Sequence, residues 1–527
     1  MSSVAVVAPV KSDAVDASRL FVGSCVALSG SAVMFAVLND IMGALKEHFV
    51  LTNEQVGWVA AGQMGFTIAI FALGPLCDAL GMKPLLWFAF LCQIGGAMMV
   101  IFAIGFWTLF SGVLINAIGS GTIEAVCNPL IATLFPDRKT QKLNQFHVWF
   151  PGGIVLGGLA CYALDQAGLN YWKLKVALVV LPTLAYGVML AGQKFPATER
   201  VQSGVSFGQM FGETFLRPLF LVLLVCMMLT ASLELGPQRW IPSVLEAGHV
   251  PGILVLVWIT GLMAVMRFFN APVVRTLGGI GVLLVSSVLA GVGLAMLSFA
   301  GTVFQIGVAA TVFAIGVCYF WPTMLGTAAE RVPRGGALAL AVLGGTGSLF
   351  FSVVTTPLMG RIADHYLHQE LTTPAIVDGK TIDRQAQTAA VLERVDASYR
   401  AWSQSLGDTK RDQASKKDIA GALPLVDQAL ERWHQTGKLP EVVTANALRG
   451  AISGGPDSAA PAAGAQAEAA AAKAEAKAIL DPAENHGGLI SFRYVAPASI
   501  FLIIVFGIIY LRDAAGRRSG RHAPASP

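Results

Sequence analysis

Stretches of about 20 apolar residues recur along this chain, near 20–43, 54–77, 84–106, 107–134, 143–168, 172–192, 217–245, 250–276, 278–300, 303–328, 335–363 and 492–512. No other feature restricts the fold as much. A run of that length crosses the hydrocarbon core as a helix, because there the backbone has only itself to hydrogen-bond with. The expected fold class is therefore all-α and integral to a membrane, with about 12 transmembrane helices. With 55% hydrophobic residues, 13% charged residues and a mean hydropathy of +0.64, an ordinary soluble domain is excluded. The cysteines at 25, 77, 92, 127, 161, 226 and 318 fall in or beside the apolar stretches and read as packing residues, not a disulfide framework. The net charge of +4 is spread over loops and gives no case for nucleic acid.

The hydrophilic segment Gln193 to Arg217 divides the stretches six and six, the pattern of a carrier built from two repeated halves. The organisation expected is a tail over 1–19, a six-helix bundle over 20–192, a linker over 193–216 and helices seven to eleven over 217–364. An insertion over 365–491, a last span over 492–512 and a tail over 513–527 follow. Met1 to Ser18 lacks the basic-then-apolar order of a signal peptide, so the first stretch is expected to be retained. Basic residues in short loops favour the cytoplasm. With the N-terminus inside, Lys83, Arg138, Lys139, Lys142, Lys194, Arg200, Arg275, Arg331 and Arg334 fall in inner loops, against Lys46, Lys173 and Lys175 outside. Both termini are thus expected in the cytoplasm, in a multi-pass protein of the inner cell membrane working as a monomer.

The insertion then lies on the outer face, and its length is anomalous for a connection between neighbouring helices. AAVLERVDASYRAWSQSL and LPLVDQALERWHQTGKL have helical periodicity, while 453–480 is low-complexity Gly, Pro, Ala and Glu ending in an Ala/Lys/Glu run. Two readings stand: a small helical hairpin with a tether, or a lid or partner-docking element.

Three carboxylates, Asp40, Glu124 and Glu234, lie within or at the edge of apolar stretches. At bilayer depth such a group is costly and points to a substrate or proton pathway. On the fourth helix Asn116, Ser120, Glu124 and Asn128 are spaced by four and line one gently winding stripe, facing either a cavity or neighbouring helices as polar glue. Asp40 lies almost a full bilayer thickness into the first helix, where a carboxylate in outer-face water costs little. Glu234 and Gln238 form an (i, i+4) pair followed by Arg239 and Trp240, which suits either sugar contact or a Glu234–Arg239 ion pair. Tyr319, Phe320, Trp321 and Pro322 cluster at an expected kink in the tenth helix, and lipid-facing aromatics explain them equally well.

GPLCDALGMKP joins the second and third helices, with Gly74 and Gly81 allowing close approach and a tight turn and Asp78 and Lys83 supplying charge. This string resembles the loop signature of the major facilitator superfamily, and a weaker counterpart runs from Arg267 to Gly278. A gating role is implied. The stretches LNDIMGALKEHFVLTNEQVG, GSGTIEAVCNPLIATLFP and KLNQFHVWFPGGIVLGG resemble, in order and spacing, segments of the fucose–galactose–hexose:proton symporter family, which is L-fucose:proton symporter-like. In that family the matching acids, Asp40 and Glu124 here, are tied to proton translocation and sugar binding. Asn39, Gln145 and His147 match further positions of the same motifs, while Val148 stands where fucose-type members carry a polar sugar contact. With Asn128, Glu234, Gln238 and Trp240, these residues make the expected substrate site.

The resemblance implies two six-helix bundles and proton-coupled uptake of a hexose or deoxyhexose by alternating access. The expected partners are that sugar, protons and the lipid bilayer, with no cofactor, no metal and no enzymatic activity. No nucleotide loop appears, so nothing supports a primary pump. The alternatives are a carrier for another solute, by efflux of an amphiphile or uptake of an anion, and a transporter-derived sensor that uses the insertion.

Overall fold

In a computed structural model the protein is described at residues 15–49, 59, 62–169, 171–198, 207–250, 252–377, 380–407, 409–456 and 464–518. The start of the second apolar stretch and the end of LNDIMGALKEHFVLTNEQVG lie outside them, as do most of the N-terminal tail, part of the linker and the end of the C-terminal tail. Among the described residues, ten helical segments are long and apolar enough to cross a membrane, and two shorter apolar helices, Met64–Leu73 and Leu254–Phe268, stand where the second and eighth spans are expected. Large apolar side chains such as Leu91, Trp107, Leu181, Val188, Trp258 and Phe299 face outward from these helices. In water they would be unfavourable; in lipid they are the expected exterior.

The first six spans run from Ala17–His48 to Val180–Leu190. The second set begins with Pro218–Ala247 and ends with Ala498–Arg518. Proline breaks several of them. The fifth span is split into Lys139–Phe146 and Trp149–Gln166, and the tenth into Val303–Val317 and Phe320–Arg331, in each case just before a proline, Pro151 or Pro322. The repeat of the halves is visible in the backbone: Gly81, which starts the third span, has φ +83°, and Gly278, which turns the eighth span into the ninth, has φ +68°. Both adopt a conformation that only glycine takes without strain.

The ends of the first bundle's spans fix two faces, one carrying the termini and the other the insertion. The insertion is larger and more ordered than a hairpin and tether. The eleventh span passes through a π-helical turn at Phe351–Thr355 and continues as Thr356–Thr372, beyond the expected boundary. Two short antiparallel strands, Ala375–Val377 and Lys380–Ile382, lead into three helices, Arg384–Ser405, Lys410–Thr436 and Glu441–Gly454. The segment from 465, expected as low-complexity tether, is the first half of a 31-residue helix, Ala465–Val495. Its residues Ala469, Ala472, Ala476, Leu480 and Ala483 are buried along one seam against Leu392, Val395, Tyr399, Val426 and Leu448. Alanine is the best helix former and lets helices approach closely, so a repetitive composition here encodes packing. That helix also overruns the expected start of the last span, which begins at Ala498 after Pro497.

Candidate functional site

The hydrogen bonds that cross between the bundles, among the described residues, lie in the half of the molecule nearer the termini. At the edge, the Thr140 hydroxyl and amide donate to Glu330 Oε1 at 2.6 and 3.2 Å, and Lys139 Nζ donates to the Ala329 carbonyl at 3.2 Å. Deeper, Asn144 Nδ2 donates to Thr323 Oγ1 at 3.0 Å. Glycines admit close helix approaches between the bundles: a Cβ on Gly74 would stand 2.1 Å from that of Ala341, one on Gly326 would stand 2.5 Å from the Thr140 hydroxyl, and one on Gly345 would stand 2.9 Å from the Phe71 ring. The molecule is pinched shut on this side.

At the floor of the pinched region lies a buried polar cluster drawn from both bundles. Glu124 and Asn128 come from the fourth span, His147 from the break in the fifth, Glu234 from the seventh, Arg267 from the eighth and Trp321 from the tenth. By the 1.5 Å rise per residue, Glu124 sits about 15 Å from the end of its helix at Leu134, near mid-bilayer. Its Oε1 accepts from Trp321 Nε1 at 3.1 Å and from Asn128 Nδ2 at 3.2 Å. His147 Nε2 lies 3.1 Å from Asn128 Oδ1 and 3.6 Å from Glu124 Oε1. On the other side Arg267 Nη2 donates to Glu234 Oε1 at 2.8 Å, Nη1 to the His147 carbonyl at 3.1 Å, and Nε to the Cys318 carbonyl. All six side chains except Trp321 are at least nine-tenths buried. A small cavity lined by Ile70, Glu124, Ala125, Asn128, Leu340, Ala341 and Gly344 opens beside Glu124. The arrangement offers hydrogen-bond partners for a polar solute and, in Glu124, a carboxylate that can carry a proton.

The expected residues separate into three places. Glu124, Asn128, His147 and Glu234 are brought together. Asp40 and Asn39 are not: both are exposed near the insertion-face end of the first span, outside the cluster. There Asp40 accepts from Lys175 at 2.6 Å, and Lys175 also bonds Asp165 at 2.8 Å, an ion triad within one bundle. Gln238 Nε2 contacts Met263 Sδ at 3.5 Å and Trp240 packs on Gly360, both toward the insertion face. Gln145 lies on the half-buried side of the Lys139–Phe146 helix beside the cluster.

Three expectations are corrected. The Glu234–Arg239 ion pair does not form: Arg239 is exposed, and Glu234 pairs with Arg267. Arg267 is not part of a loop motif; in the register that pairs Gly81 with Gly278, the position of Asp78 falls on Arg275, and Arg267 lies two turns deeper. The Asn116–Asn128 stripe is divided, with Asn116 Nδ2 donating to the Gln93 carbonyl at 3.1 Å and Gln93 Nε2 to Ser31 at 2.9 Å and Ser120 at 3.4 Å, as glue inside one bundle. Only its lower half reaches the interface. Trp321 was readable as an aromatic cluster at a kink, but nothing local to it indicates a carboxylate partner nearly 200 residues away. Of the loop motif, Asp78 accepts from Thr198 and Lys83 Nζ donates to the Gln193 carbonyl at 3.0 Å, so these two charges fasten the linker.

Two bundles meeting over a buried polar cluster and closed on one face have the architecture of a membrane transporter. The Major Facilitator Superfamily model matches residues 20–355, and the chain belongs to that superfamily. Among solved structures, the fold is similar to the transporter FucP in the outward conformation, at 18% identity and a TM-score of 0.56 over 65% of this chain and 92% of that one. It is similar too to the proton:xylose symporter XylE bound to 6-bromo-6-deoxy-D-glucose, at 14% identity and a TM-score of 0.54 over 67% and 90% of the chains. The human organic anion transporter MFSD10 matches with a TM-score of 0.54 at 14% identity over 65% and 93%. In sequence, Myo-inositol transporter 1 of Saccharomyces cerevisiae is 30% identical over 148 residues, 27% of this chain and 24% of that protein. The chain thus spans about a quarter of the length of that curated relative.

Proposed function

We propose that this transporter takes up a sugar or a related polyol together with protons, with both termini in the cytoplasm of the inner membrane and the insertion outside. The observation that carries this reading is Glu124: a carboxylate buried at the bundle interface, held by two neutral donors, Trp321 Nε1 and Asn128 Nδ2, and lining a cavity. A buried charge costs several kcal/mol unless it is compensated. Neutral donors stabilise the anion yet leave the protonated acid tolerable, because no permanent cation is stranded when the proton arrives. Proton arrival would weaken the Trp321 bond between the bundles and bias the opening equilibrium. A polar, uncharged, hydroxyl-rich solute suits a cluster whose other members, the Asn128 amide, the His147 imidazole and the Trp321 indole, are hydrogen-bonding groups. The sugar carriers among the fold neighbours and the inositol carrier matched in sequence lean the same way. An anion carrier would need free positive charge in the site, and Arg267 is already neutralised by Glu234.

The test is uptake into vesicles under an imposed pH gradient, with a panel of hexoses, deoxyhexoses and inositols, for wild type, Glu124→Gln and Asp40→Asn. Glu124→Gln is expected to lose gradient-driven accumulation while keeping counterflow exchange. Full accumulation by that variant, or uptake indifferent to pH across the whole panel, would end the proton-coupled reading.

A further inference from the structure

Arg267 ends on three acceptors, and two of them are backbone carbonyls that an unbroken helix would have used. In a helix the carbonyl of residue i accepts from the N–H of residue i+4. Four residues after His147 stands Pro151, and four after Cys318 stands Pro322, neither of which has an N–H. Each proline therefore leaves a carbonyl without its helical donor in the buried interior, where an unpaired acceptor is strongly unfavourable. Arg267 Nη1 takes the first at 3.1 Å and Nε takes the second, while Nη2 keeps Glu234 at 2.8 Å. Only a guanidinium offers donors in a planar fork wide enough for all three. His147 belongs to one bundle; Cys318, Glu234 and Arg267 belong to the other. The pattern recurs in the opposite direction at the edge of the interface, where Lys139 of the first bundle donates to Ala329 O, four residues before Pro333.

We infer that Arg267 is a positioning residue that latches this state of the transporter, holding the terminus-side half shut by gripping the His147 carbonyl that Pro151 sets free. Two of its bonds stay within its own bundle, so they hold the fork in place. The third crosses the interface and must break when the bundles separate, at which point cavity water can replace the guanidinium on His147. Pro151 and Arg267 thus act as one device: the proline creates the acceptor and the arginine uses it. The inference rests on the two-bundle alternation alone and needs neither the sugar nor the proton.

The test uses the full chain in lipid nanodiscs, without substrate, with spin labels on noncanonical side chains. One pair, Leu80 and Thr276, reports the terminus face, and a second, Ile104 and Phe304, reports the insertion face. Pro151→Ala restores a helical donor for His147 and leaves every charge in place. It is expected to raise the population with a long Leu80–Thr276 distance by about tenfold, the range set by one charge-assisted hydrogen bond. Arg267→Lys keeps the charge, loses the fork, and is expected to shift the distances in the same direction. Pro322→Ala changes a carbonyl in Arg267's own bundle and should leave both distributions as in wild type. Unchanged distances in Pro151→Ala, or an equal shift in Pro322→Ala, would overturn the latch. If Arg267→Lys fails to accumulate, the two proline variants decide; if Pro151→Ala fails, Arg267→Lys beside Pro322→Ala decides. Because no transport is measured, loss of the sugar reading would leave this result standing.

Discussion

Glu124 and Glu234 are two buried carboxylates of one interface, one from each bundle, and their surroundings differ in kind. Glu124 is met by an indole and an amide, with His147 3.6 Å away. Glu234 is met by a guanidinium at 2.8 Å, and its second oxygen is buried with no hydrogen-bond partner. Neutral donors allow a carboxylate to exist in either protonation state, whereas a permanent cation fixes it as an anion, since neutralising it would strand the arginine. The same residue type is thus placed as a changeable group in one bundle and as a fixed structural charge in the other.

That contrast can be broken experimentally, most severely on the C-terminal side. Arg267→Met should destabilise the protein by about 3–5 kcal/mol by leaving Glu234 buried and unpaired, read as a lowered thermal midpoint in detergent. The double variant Arg267→Met with Glu234→Gln should recover much of the loss; no recovery would mean the pair is not the source of the effect. Gly74→Val comes next, because any Cβ there meets Ala341, and overpacking of this sort costs about 1–3 kcal/mol. It should also shift accessibility labelling toward the state open on the terminus face. Trp321→Phe removes one donor to Glu124 and should cost about 1 kcal/mol, seen as a several-fold change in the proton-gradient dependence of uptake. Glu124→Gln should change stability little, by no more than about 1 kcal/mol, since the amide oxygen can still accept both bonds. A large destabilisation by Glu124→Gln would erase the distinction between the two carboxylates. Asp40→Asn is expected to be milder still in stability, under about 1 kcal/mol, because the site is part-exposed and Lys175 keeps Asp165.

What the sequence disclosed follows the range of each interaction. Helical spans are local in origin, so their number and most of their ends could be read from apolar runs, and the Asn116–Asn128 stripe followed from spacing along one helix. The partition of that stripe could not, because whether Ser120 meets Gln93 or the other bundle depends on helix rotation. Arg267 was misassigned for the same reason. Its neighbours in the chain suggested a loop motif, while its partners come from the fifth, seventh and tenth spans. The sequence does carry one clue: Pro151 and Pro322 mark, four residues upstream, the carbonyls that need an outside donor. In the insertion, low complexity hid a seam of Ala469, Ala472, Ala476, Leu480 and Ala483, whose regular spacing is a packing signal once composition is set aside.

The helix Ala465–Val495 begins in the insertion and ends against the C-terminal bundle, where Asn485 Nδ2 donates to the Val244 carbonyl at 2.8 Å. Arg449 adds a second tie, to Asp364 at 3.0 Å and Glu484 at 2.8 Å. At 1.5 Å per residue this helix is about 46 Å long, and under the proposed alternation its anchored end turns with the C-terminal bundle. It is mechanically a pointer: a modest tilt at the bilayer becomes a large sweep at its tip. Any ligand or label fixed to that tip would travel with the C-terminal bundle and signal, outside the membrane, which way the carrier is facing.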